Sequence, residues 1–165
     1  MCSENNLTEV PNSGNHNCFG CSPGNECGLR MKFYTDQKSV FSWVTVPPHL
    51  SGWSNLVHGG VLSTILDEIM SWTAIHLLKK FILTKSMTVD FLKPVFVGQQ
   101  LEVQGNVADT GRKREAFMEG YIYNEDKKLC VKANGTFALF SPESVRRMGI
   151  LGEQALKDFD ELLNG

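Results

Sequence analysis

The stretch Asn55-Leu56-Val57-His58-Gly59-Gly60-Val61-Leu62-Ser63-Thr64-Ile65-Leu66-Asp67-Glu68, continuing apolar to Leu78, decides how this chain is read. A His-Gly-Gly turn opens a run in which Val61/Leu62, Ile65/Leu66, Ile69, Trp72/Thr73 and His76 recur at helical spacing. Ser63, Asp67, Met70/Ser71 and Ala74 fall on a narrower face of smaller or polar groups. The pattern predicts a helix over residues 61–78 that is apolar nearly all round, and such a helix is buried. Asp67 and Glu68 stand in it with no lysine or arginine before Lys79. An ionised carboxylate in apolar surroundings is costly unless paired, so a sequence that places one there has a use for it. Neighbours on a helix point about 100° apart, so the two acids cannot share one role, and Glu68 reads as the bystander.

Working outward, the flanks read as strands. Leu29, Met31 and Phe33 alternate with Arg30, Lys32 and Tyr34, and after a turn at Asp36-Gln37-Lys38 comes the β-branched and aromatic run Val40 to Val46, closed by Pro47-Pro48. Beyond the helix, four further runs cover 84–95, 99–108, 113–123 and 127–140, separated by Pro94 with Gly98, by Asp109-Thr110-Gly111 and by Asn124-Glu125-Asp126. Gly105, Gly120 and Gly135 lie on the inward parity of the last three and leave room for something bulky. Two strands, one long helix and four strands predict an α+β hot-dog fold, a curled antiparallel sheet of about six strands wrapped round a central helix. One layer round one helix leaves the helix's open side uncovered, and a second subunit is the economical cover. The expected organisation is a Cys/Gly/Asn-rich arm over 1–28, the hot-dog domain over 29–140, and a C-terminal helical extension over 141–165. That extension opens on a Ser141 cap with Pro142 and has a short amphipathic helix from Glu153 to Leu162. Trp53 is expected in the core or an interface, Cys130 on the polar side of its strand, and His76 as a satisfied helix histidine.

At 165 residues, 42% hydrophobic and 21% charged with a net charge of −2, the chain fits one domain and carries no electrostatic footprint for nucleic acid or an anionic membrane. The polar start Met1-Cys2-Ser3-Glu4-Asn5-Asn6 lacks the basic and apolar regions of a secretory signal. Asp67, Glu68 and His76 make membrane insertion of the apolar run costly. A soluble, cytoplasmic protein is expected. Five cysteines without a signal argue for thiols rather than a disulfide framework. Cys18, Cys21 and Cys27 with His16 have the donor types of a zinc site, but no second Cys-x-x-Cys closes it, so no metal is expected.

The run from His58 to Glu68 resembles the signature of the PaaI-like branch of the hot-dog thioesterases, in which an acid stands nine residues after the motif histidine. The lead-in Cys18-Phe19-Gly20-Cys21, followed by Gly28-Leu29 and Phe33, is similar to that of one subgroup, and the resemblance runs from about Asn17 to Phe140. It implies an acyl-CoA thioesterase with no cofactor, CoA being part of the substrate, assembled as a homodimer or homotetramer with the site between subunits. Asp67 falls on the general base or nucleophile, Gly60 on the residue whose N–H polarises the carbonyl, and Thr84 on the hydroxyl that positions water. His58, Gly59, Asn55 and Ser71 fall on substrate-contacting places. Met87, Val89 and Phe91 set the inward parity of Thr84's strand on odd numbers, so Thr84 needs a frayed start or a bulge. The chain departs from the pattern at Gly52, where relatives often carry an amide; Asn55 is the nearest substitute. Three other readings are a non-catalytic acyl-CoA or lipid binder, which loss of that amide would favour, a hot-dog dehydratase or hydratase, which wants a His-Phe-Pro-Gly stretch this chain lacks, and a zinc-stabilised interaction module made of the Cys18, Cys21 and Cys27 arm.

Overall fold

The computed structural model describes residues 6–164, so the first five residues, on which the expected lack of a signal mostly rests, lie outside it. In chain order the elements are β1 (Thr8–Val10), β2 (Phe33–Thr35), β3 (Ser39–Thr45), α1 (Gly59–Leu78), β4 (Phe81–Phe91), β5 (Gln100–Arg112), β6 (Glu115–Tyr123), β7 (Leu129–Phe140), α2 (Pro142–Met148) and α3 (Glu153–Asn164). The strands form one antiparallel sheet in the order β1-β2-β3-β5-β6-β7-β4. That sheet curls round α1, the hot-dog arrangement expected, with seven strands rather than six. The extra strand, β1, lies in the arm: Thr8, Glu9 and Val10 pair with Thr35, Tyr34 and Phe33. Three residues are too few to show an alternation.

Leu62, Ile65, Leu66, Ile69 and Trp72 of α1 are buried as expected, and so are Met70 and Ala74, which the helical pattern had placed on the open face. The sheet wraps further round the helix than that pattern allows for. Gly105, Gly120 and Gly135 are where it comes closest. A Cβ at Gly105 would lie 2.8 Å from the Ile69 carbonyl oxygen, and one at Gly120 would lie 3.0 Å from Leu66 Cδ2. By length and composition α1 could also cross a bilayer; here its apolar side is spent on the sheet.

Other boundaries moved for local reasons. Leu29 and Met31 are buried, but their N–H groups bond to Phe19 O and Gly20 O of the arm, with Arg30 at φ 50°, so the first strand of the hairpin shortens to β2. The expected turn at Asp109-Thr110-Gly111 is strand with two register shifts, and the hairpin closes instead at Lys113-Arg114. Cys130 is fully buried, because the register shifts where Tyr123 pairs with Leu129 and Ile122 with Val131. Trp53 is 89% exposed rather than core, and His76 has a buried Nε2 with no partner among the described residues.

The C-terminal extension folds back on the domain. Ser141 caps α2 through Oγ, which accepts from Ser144 N, and α3 lays Phe159 edge-on against Phe81 at 5.4 Å. Ser13 Oγ of the arm donates to Asp158 Oδ2 of α3 at 3.1 Å. Arm and α3 thus bound a cavity of about 790 Å³ over the Glu68, Ser71, Trp72 and Ile75 side of α1. Part of the cover expected from a second subunit comes from the chain's own ends.

Candidate active site

The start of α1 is built by its own sequence. His58, at φ −61° and ψ 135°, is the N-cap, and its Nδ1 accepts from Gly60 N at 2.9 Å. Val61 N and Leu62 N both donate to His58 O. The Gly60 N–H, the expected carbonyl-polarising group, is therefore occupied by the imidazole next to it. The N–H of Gly59 has no partner among the described residues. Gly59, unlike Gly60, also lines a groove of about 300 Å³ with Leu56, Val57, Leu62, Phe91, Leu92 and Pro94. The positive end of the helix dipole lies here, so a partly negative oxygen is favoured at the Gly59 donor.

Two turns further along α1, Asp67 meets Thr84. The Thr84 hydroxyl donates to Asp67 Oδ1 at 2.7 Å, which brings two expected site residues together from different elements. A bulge makes this possible: Thr84 pairs with Phe137 and Ser86 with Thr136, leaving Lys85 as the extra residue. Parity flips there, and Thr84 shares the helix-facing side with Met87 and Val89. Burial raises the pKa of the Asp67 carboxyl, the Thr84 hydrogen bond pulls it back down, and the neighbouring Cys18 adds to the rise. No partner reaches Asp67 Oδ2 among the described residues.

The remaining expected residues are dispersed. Asn55 is exposed, its carbonyl held by Val97 N at 2.9 Å. Gly52 packs against the cap: a Cβ there would lie 3.3 Å from His58 Cα, so the missing amide coincides with a tight approach. Ser71, half-buried, faces the cavity under the arm and α3 rather than the Asp67–Thr84 pair.

Two features went unread in the sequence. Glu68 is not a bystander. The Cys18 thiol donates to Glu68 Oε1 at 3.1 Å, and burial pushes the Glu68 carboxyl up to about 8. The second is a cavity of about 810 Å³ lined by Lys80, Lys85, Lys113, Arg114 and Arg147, with Lys85 paired to Glu115. Net charge hides such a cluster, although the basic doublets Lys79-Lys80, Lys113-Arg114 and Arg146-Arg147 were there to be read.

Fold and site define a hot-dog domain with a carboxylate–hydroxyl pair on its central helix and an unpaired N–H at that helix's start. Residues 54–131, just under half of the chain, match the family model of the thioesterase superfamily. None of the curated proteins matches the chain. Among solved structures, a thioesterase superfamily protein is 24% identical with a TM-score of 0.66, over 73% of this chain and 59% of that one. A hypothetical thioesterase from Streptococcus pneumoniae, solved with coenzyme A, is 22% identical with a TM-score of 0.60, over 64% and 80%; its aspartate-to-alanine and threonine-to-alanine mutants are also solved. The Escherichia coli PaaI protein of the phenylacetic acid degradation operon is 21% identical with a TM-score of 0.62, over 68% and 81%. At these identities the likeness establishes the shared fold.

Proposed function

We propose that the protein is an acyl-CoA thioesterase of the PaaI-like kind, and the observation that carries the reading is the Asp67–Thr84 hydrogen bond. It fixes one carboxylate oxygen and leaves Oδ2 to accept a proton from water. Hydroxide so formed adds to the thioester carbonyl, a helix-start N–H takes the developing oxyanion, and collapse expels the CoA thiolate, which recovers the proton. The same carboxylate could instead attack the carbonyl and form an anhydride that water opens. Either way the donor set calls for no metal or redox cofactor in the hydrolysis. Gly59 takes over the donor role expected of Gly60, because its N–H has no partner among the described residues and Gly59 lines a groove.

Helix geometry then bears on assembly. Gly59 and Asp67 are eight residues apart on α1, about 12 Å along the axis. One thioester carbonyl cannot reach both on a single chain. A donor from one protomer and a carboxylate from its partner meet this requirement, so the reading includes a homodimer, or a homotetramer made from such dimers. Edge strand β4, with Leu83 and Phe91 exposed and Leu92 exposed just beyond its end, offers the pairing surface. The cationic cavity beside the start of β4 suits the phosphates of CoA. Four described cysteines are free thiols, in keeping with a cytoplasmic protein.

The test is thiol release from acyl-CoAs of graded chain length by wild type and Asp67→Asn. Hydrolysis is expected to fall by about 10²–10⁴-fold in the variant. Wild-type rates in Asp67→Asn would refute the catalytic assignment, and binding without turnover by wild type would favour the non-catalytic binder.

A further inference from the structure

The thiol–carboxylate cluster beneath the arm has no part in the hydrolysis proposed above. Cys18-Phe19-Gly20-Cys21 forms a tight turn in which Ser22 N donates to Cys18 O at 3.0 Å. That turn is clamped from outside, by Leu29 N on Phe19 O at 2.7 Å, by Met31 N on Gly20 O at 3.0 Å, and by Asn12 Nδ2 on Cys21 O at 2.6 Å. Glu68 enters from α1. The Sγ atoms of Cys18 and Cys21 and a Glu68 carboxylate oxygen all lie within 4.8 Å of one another.

Gly20 shows that the approach is built in. A Cβ there would lie 2.5 Å from Glu68 Cγ and 2.7 Å from Oε1, so a side chain at this position would displace the carboxylate from the turn. Three acidic groups therefore converge on one point, and no lysine or arginine among the described residues is hydrogen-bonded or ion-paired to them. Buried anions require a cation or their protons.

We propose that Cys18, Cys21 and Glu68 bind one Zn²⁺, which pins the N-terminal arm to the central helix and leaves a fourth position open to the cavity lined by Ser71 and Trp72. Tetrahedral zinc with Zn–S near 2.3 Å and Zn–O near 2.1 Å sets its ligands about 3.5–3.8 Å apart, so closing the cluster asks for shifts of about 1 Å. Thiolates select zinc over magnesium or calcium. Two segments with 46 residues between Cys21 and Glu68 supply the donors, so the ion would fasten the arm where short hydrogen bonds hold it now. The ligand set differs from the one the sequence suggested. Cys27 is exposed and outside the cluster, while His16 is engaged with Asn12 through Nε2 and with Cys18 N through Nδ1.

The experiment uses the full chain, reduced and stripped with chelator, then titrated with Zn²⁺ against a chromophoric competitor, with Co²⁺ as a spectroscopic substitute. Expected are about one Zn²⁺ per chain, a thiolate-to-Co²⁺ charge-transfer band, and a higher melting temperature with metal. Cys21→Ser is expected to abolish binding and Glu68→Gln to weaken it by about 10–100-fold, whereas Cys27→Ser is expected to bind as wild type. Circular dichroism of the stripped variants separates lost binding from lost fold, and the wild-type titration stands without them. No zinc uptake by the reduced wild type, or uptake unchanged in Cys21→Ser, overturns the proposal. Neither result bears on the thioesterase reading, which Asp67→Asn tests separately.

Discussion

If the carbonyl-polarising N–H and the carboxylate act from different protomers, two inactive variants are expected to rescue one another. Gly59→Pro removes the donor with little else. Proline is tolerated at the first helical position, His58 already has the extended geometry a residue before proline adopts, and a Cβ at 59 meets Phe91 Cζ at an ordinary 3.5 Å. Losing an oxyanion donor costs about 10²–10³-fold in kcat, roughly 3–4 kcal/mol. Asp67→Asn removes the carboxylate and costs about 10²–10⁴-fold. A mixed dimer of the two has one site with both groups intact and one with neither. Random assortment makes half the dimers mixed, so an equal mixture is expected to recover about one quarter of wild-type activity, and a mixed dimer isolated through two affinity tags about one half. Acyl-CoA hydrolysis read by thiol release decides the matter. Mixed dimers no more active than their parents would show that both groups act within one chain, and the 12 Å argument would fall.

Thr84→Val is expected to move the acidic limb of the rate profile. The deprotonated Asp67 is the active form, its pKa lies above 3.8 because of burial, and the Thr84 hydrogen bond holds it down, so removing the donor shifts the midpoint to higher pH; a midpoint that stays or falls refutes the role. His76 titrates below its ordinary 6.5 because burial and then Lys79 disfavour its charged form. It therefore contributes stability above pH 6.5 that is lost as pH falls toward its folded value, and His76→Leu is expected to flatten the melting temperature between pH 7 and 5. Gly105→Ala drives a Cβ against Thr73 Oγ1 and to 2.8 Å from Ile69 O; because the latter is helix backbone, a loss of about 1–3 kcal/mol in chemical denaturation is expected. Charge reversal in the cationic cavity, as Lys113→Glu or Arg147→Glu, is expected to raise KM for acyl-CoA while leaving kcat, with a shallower dependence of KM on salt than wild type.

The fold was legible because its main signals are periodic. Helical recurrence from Leu62 to Trp72 and alternation in β5, β6 and β7 each repeat often enough to survive local exceptions. What escaped was aperiodic or non-local. β1 has three residues, and the true β5–β6 turn at Lys113-Arg114 carries none of the usual turn residues, whereas Asp109-Thr110-Gly111 carries them inside a strand. Met70 and Ala74 look like open-face residues only if the sheet covers half the helix, and how far a sheet curls depends on bulges and close approaches that no single strand announces.

The candidate site shows the same division within two adjacent residues. Asp67 stood out because an acid nine residues after the motif histidine fits a family pattern, and the parity conflict at Thr84, which called for a frayed start or a bulge, is resolved by the bulge at Lys85. Glu68 was misread by an argument that is sound as far as it goes. A 100° rotation does separate it from Asp67, but helix angle says only which way a side chain leaves, and not what the rest of the chain has brought to meet it. Here that is the arm, held by backbone bonds to residues 29 and 31 and opened at Gly20 for the carboxylate. The Cys-x-x-Cys motif was judged short of ligands because they were sought nearby in sequence, while the third comes from the helix on which the whole reading rests.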